Sequence, residues 1–119
     1  MEVLSKSFLW CMILSTSFVG AQDNKAIQSA FESSFLNENK YDYEEGIKVI
    51  KSIYSEDSYP INLRLGWLSY LSGNYSASIT YYKLAIHLMP NAEEPYWGVI
   101  NTQVAMGKWV DVEKSYLSI

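Results

Sequence analysis

From residue 24 onward, apolar positions recur at helical spacing and polar residues cut the pattern into short segments. Ile27, Ala30, Phe31, Ser34 and Phe35 fall at i, i+3, i+4, i+7 and i+8, one face of a helix capped by Asp23 or Asn24 and running to about Glu38. A polar connection follows from Asn37 to Lys40. Asp42 and Glu45 then have capping-box spacing for a second helix bearing Tyr43, Ile47, Ile50 and Tyr54. From Tyr59 to Ala92 the chain predicts a helical hairpin. Pro60 suits a first turn, Gly73 suits the left-handed residue after a helix end, and Asn74 suits the next cap. Asn91 and Glu94 repeat the capping-box spacing ahead of a fifth helix running to Met106.

These segments repeat. Gly107, Trp109 and Tyr116 follow Gly73, Tyr75 and Tyr82 at one identical interval, whereas the interval from Tyr43 to Tyr75 is two positions shorter, which places a deletion in the loop around Ser55 to Ser58. The central copy has Leu65-Gly66, Tyr82, Ala85 and Pro90 at the spacing of the tetratricopeptide pattern of about 34 residues, with Asn62, Ser69 and Ser78 departing from its Trp, Tyr and Ala slots. It resembles a tetratricopeptide repeat. The resemblance implies an all-α fold, a right-handed superhelical solenoid of about three helical hairpins at approximately 24–56, 59–92 and 93–119. Gly66 within a helix points independently to a neighbour packed too close for a Cβ, and Ala85 and Ser78 serve the second helix in the same way. In the third copy Val99 and Ile100 replace the Leu-Gly pair, which leaves the closeness of helix packing there open, though not its existence.

The first residues are of another kind. Ser7 to Gly20 is apolar without amphipathic spacing, follows Lys6, and runs into Val19-Gly20-Ala21, which suits signal-peptidase cleavage. Residues 1–21 read as a signal peptide. The alternative is a membrane anchor over 7–20, although the run is shorter than the roughly 20 residues that span a bilayer. Cys11, the single cysteine, lies in this segment next to bulky Trp10, which does not suit lipidation. A mature chain starting at Gln22 would have no cysteine and would tolerate an oxidising compartment. The expected localisation is therefore export, periplasmic or secreted, as in exported bacterial tetratricopeptide proteins.

Composition narrows the function. Of 119 residues 49% are hydrophobic and 18% charged, as in a folded domain, and eight Lys and one Arg are scattered among thirteen acids for a net charge of −4. Nucleic-acid binding, which needs clustered basic residues, is not expected. A single His87 assembles neither a metal site nor a nucleophile relay, and the adjacent acids Glu44-Glu45, Glu56-Asp57 and Glu93-Glu94 diverge by about 100° on a helix. No enzymatic activity, cofactor, metal or small-molecule substrate is expected.

What remains is a surface. By resemblance, Phe31 and Phe35, then Leu63, Trp67 and Tyr70, then Trp97 and Asn101 line the concave face of the first helices, where a protein or peptide partner binds. Packing between repeats is the competing role. An apolar stripe favours packing for Phe31, Phe35 and Leu63, and the use of Trp and Tyr as interface anchors favours the groove for Trp67, Tyr70 and Trp97. Asn101 and Glu38 form a polar margin, and the groove is expected to be neutral to acidic. The family's charged clamp for a C-terminal carboxylate is absent, with Arg64 one position off the groove line. The expected function is a non-catalytic protein-interaction module. The alternative is a structural N-terminal segment of a larger scaffold or envelope-assembly protein that recognises its partner beyond Ile119.

Overall fold

A computed structural model describes residues 23–119, so the signal or anchor reading of 1–21 and the start at Gln22 lie outside the described residues. The described residues form six helices and no strand. α1 covers 23–39, α2 Tyr43–Lys51, α3 Tyr59–Leu71, α4 Tyr75–Leu88, α5 Glu94–Ala105 and α6 Trp109–Leu117. From α2 onward each helix packs on its neighbours in sequence, and α3 also packs on α5. This order is compatible with a helical repeat.

Three turns of one design fold the chain back. After α1, α3 and α5 a residue enters the left-handed region: Tyr41 at φ 60°, Gly73 at φ 79° and Gly107 at φ 69°. The amide that follows reaches back into the preceding helix in each case: Asp42 N to Asn37 O at 2.9 Å, Asn74 N to Ser69 O at 2.9 Å, and Lys108 N to Gln103 O at 3.0 Å. This Schellman closure satisfies helix-end carbonyls that would otherwise lack donors. At the helix starts, Asp42 accepts from Glu45 N at 3.2 Å, Ser58 accepts from Ile61 N at 3.5 Å, and Pro60 lies in the first turn of α3.

Two expected caps do not form. Asn74 precedes α4 without a side-chain capping bond, and α5 begins at Glu94 after Glu93, leaving the Asn91 capping box unmade. Pro95 in the first turn, whose ring replaces one of the free amides, is the start signal that operates there.

The core runs through Ile47, Ile50, Ile61, Leu65 and Leu68, with Phe31, Ile53 and Tyr81 packed against it. Tyr54 lies past the end of α2, not on it. Its hydroxyl donates to Asn62 Oδ1 at 3.3 Å and its ring meets Tyr81 edge-on at 6.3 Å. Fully buried Asn62, in the slot where the repeat pattern has Trp, donates from Nδ2 to the carbonyls of Glu56 and Ser58, both at 2.9 Å. An amide there ties down the connection between α2 and α3, a role that an indole with its single donor could not fill.

The close approach at Gly66 is present. A Cβ there would meet the Tyr82 ring at 2.8 Å. The third copy contains one too: Gly98 approaches the same ring from α5, so tightly that any Cβ would overlap it. Tyr82 thus packs closely on two glycines and is 4% exposed. Beside it, the Ser78 and Thr102 hydroxyls lie 3.1 Å apart and each reaches a carbonyl at 2.8 Å, Gly66 O and Gly98 O respectively, so their two protons serve two of these three contacts at a time. The Ser in the Ala slot links α3, α4 and α5 through satisfied buried hydroxyls.

Candidate binding clefts on the first helices

Two clefts lie side by side across α1, α3 and α5. The first, about 580 Å³, is lined by Phe31 and Phe35 of α1, by Tyr59, Leu63 and Trp67 of α3, and at its margin by Glu38 and Glu94. The second, about 410 Å³, lies between α3 and α5 and is lined by Trp67, Tyr70, Trp97 and Asn101 over a floor of Tyr82 and Gly98. Trp67 and Glu94 belong to both. All seven groove positions implied by the repeat resemblance therefore line these two adjoining clefts.

Their burial divides them differently from the sequence expectation. Phe31 and Leu63 are half-buried, Phe31 against the core as well as in the cleft. Phe35, for which the apolar stripe favours packing, is 51% exposed, and α3 meets its ring with the Arg64 cation and not with an apolar side chain. Trp67 is 38% and Trp97 42% exposed, Asn101 is exposed and Tyr70 half-buried. The aromatic rings support one another: Trp67 stacks on Tyr70 at 5.7 Å, and Trp97 meets Tyr116 edge-on at 6.0 Å. Ring positions are therefore constrained before any ligand arrives, which lowers the ordering cost of binding.

An ion pair anchors the first cleft. Arg64, only 8% exposed, pairs through Nη1 with Glu38 Oε2 at 2.6 Å, donates from Nε to Ser34 Oγ at 3.0 Å, and holds its guanidinium 4.0 Å from the Phe35 ring centroid. Glu38 Oε1 accepts from Trp67 Nε1 at 2.8 Å. Both carboxylate oxygens are thus engaged, which fixes the Trp67 indole and neutralises this end of the groove. Glu94 is different. It is exposed and, among the described residues, has no cation within ion-pair distance. Tyr59 is raised above the ordinary phenol value by burial and then by the charge of Glu94, and Tyr82 is raised further by burial, then Glu94, then Tyr70.

The resemblance that implied the aromatics did not reveal Glu94 or Tyr59 as groove residues, nor the bond from Arg64 to Glu38. These contacts cross from one helix to another, and only the packing of α1, α3 and α5 brings them together. Among the described residues no three His, Cys, Asp or Glu side chains converge as a metal site. No described helix is long and apolar enough to cross a membrane. The chain matches no protein-family model, and no curated protein or solved structure matches it.

Proposed function

We propose that this chain is a tetratricopeptide-type helical array of an exported protein that acts as a non-catalytic interaction module, binding a segment of a protein partner along α1, α3 and α5. The observation that carries the reading is the line of exposed, mutually braced aromatic rings across the two adjoining clefts. Hydrophobic rings held open to solvent and margined by Glu38, Glu94 and Asn101 make an apolar trough with polar edges, the kind of surface that takes an extended strand or an amphipathic helix. The repeat reading is supported by the three like turn closures at Tyr41, Gly73 and Gly107 and by the packing of α3 beside α5.

Selecting binders from a random peptide library and re-measuring them against Trp97→Ala tests the function. Trp97 is an anchor residue in this reading, so its truncation costs binding about 2 kcal/mol or more, while thermal stability falls little because the ring is only half covered. Binders that are indifferent to Trp97→Ala and do not protect the clefts from solvent would place the interaction elsewhere. A structural role within a larger scaffold is the second reading. It is favoured by α6, which buries none of its residues and leaves Trp109, Val110, Tyr116 and Leu117 exposed.

A further inference from the structure

Resting on the groove reading above, we infer that the segment bound there presents an arginine or lysine side chain to Trp67, with Glu94 as its counter-charge. The protein already contains the arrangement once. Between α1 and α3, Arg64 lies over Phe35 at 4.0 Å and pairs with Glu38 at 2.6 Å. One repeat later, Trp67 takes the position of Phe35, at the same interval that separates Tyr43 from Tyr75. Gly98 takes that of Arg64, at the interval that separates Gly73 from Gly107. The ring is therefore replaced by an indole, the aromatic side chain that attracts a cation most strongly, while the cation is replaced by hydrogen.

The surroundings match this missing charge. The charged residues lining the two clefts are Glu38, Arg64 and Glu94, and because Arg64 neutralises Glu38, the remaining charge of the groove is the single negative one on Glu94. Glu94 stands where the clefts meet, beside Trp67. Its field reaches the phenols of Tyr59 and Tyr82, which it disfavours as anions in the same way that it would favour a cation. Tyr70 stacked on Trp67 holds the indole in place. The ligand side chain needs an apolar stem for the trough and a cationic head for Glu94, and arginine and lysine have both.

Titration of the full chain, labelled at its indole nitrogens, with a blocked apolar peptide carrying one central arginine tests the inference against the same peptide carrying citrulline. The Trp67 and Trp97 resonances, assigned from Trp→Phe variants, are expected to shift with the arginine peptide at about tenfold lower concentration than with the citrulline peptide, and Glu94→Gln is expected to reduce that ratio to near one. Equal binding of the two peptides at these indoles would overturn the cationic preference and leave the groove intact. Failure of both peptides to move either indole at millimolar concentration would overturn the groove reading as well.

Discussion

Tyr41 occupies a place that glycine fills in the other two hairpins. Its φ of 60° is costly for an L side chain, by roughly 1–2 kcal/mol, and its exposed ring recovers little through the edge contact with Tyr43 at 6.4 Å. Tyr41→Gly removes that strain and adds back roughly 0.5–1 kcal/mol of unfolded-chain entropy, for a net gain of about 0.5 kcal/mol and a melting temperature higher by about 2–4 °C. A melting temperature that falls instead would show that the ring contact outweighs the strain. Tyr82 makes a prediction at the other end of the burial scale. Its phenol is raised from the ordinary 10.0 by burial first and the nearby Glu94 second. The unfolded chain therefore releases this proton at a lower pH than the folded one, so the stabilisation is complete below pH 10 and is lost as pH rises above it. Tyr82→Phe is expected to match the parent near neutrality and to be the more stable above pH 10, as read from denaturant midpoints across an alkaline series.

At the scale of helices, most of what forms was readable because it depends on near neighbours in sequence. Apolar periodicity located the helices, Pro60 and Gly73 marked two boundaries, and Gly66 announced a close contact that the Tyr82 ring supplies. What spacing leaves unread has one cause. Spacing puts Tyr54 on α2, yet the helix ends at Lys51 and Tyr54 lies in the following connection, bonded to the buried Asn62 amide. The missing Leu-Gly pair leaves the closeness of packing in the third copy open, and Gly98, two positions before the aligned slot, supplies a close approach because α5 meets the Tyr82 ring there. Tertiary partners decided both. The same holds for the groove, where the aromatic line and Glu38 at its margin follow from the repeat resemblance while Glu94 and the bond from Arg64 to Glu38 do not. Ala85, fully buried on α4, tests the register of the hairpin. Ala85→Leu overpacks it and is expected to cost on the order of 1–3 kcal/mol in denaturant unfolding, whereas Ser76→Leu on the exposed face of the same helix changes little. Equal effects at the two positions would refute that packing.

Across the described residues, α4 and α6 are covered unequally. Tyr82 is 4% exposed under α5, and Tyr116, its equivalent in the following copy, is 61% exposed because no described helix covers it. Exposed aromatics on α6 and along the clefts give the folded domain more than one apolar surface, so the compartment in which it works bears on which partners it meets. The proposed export rests on Ser7 to Gly20 and the small residues Val19-Gly20-Ala21, which lie outside the described residues. Cleavage after Ala21 removes the single cysteine, Cys11, together with the apolar run. The remaining helices fold around contacts that do not require a thiol, since the core consists of aliphatic and aromatic side chains and satisfied hydroxyls. Mass spectrometry of the protein recovered from the periplasm or medium is therefore expected to give a chain beginning at Gln22. Recovery of the intact chain with Met1 from the membrane fraction would replace secretion with anchoring through residues 7–20 and would confine the clefts to partners within reach of that membrane.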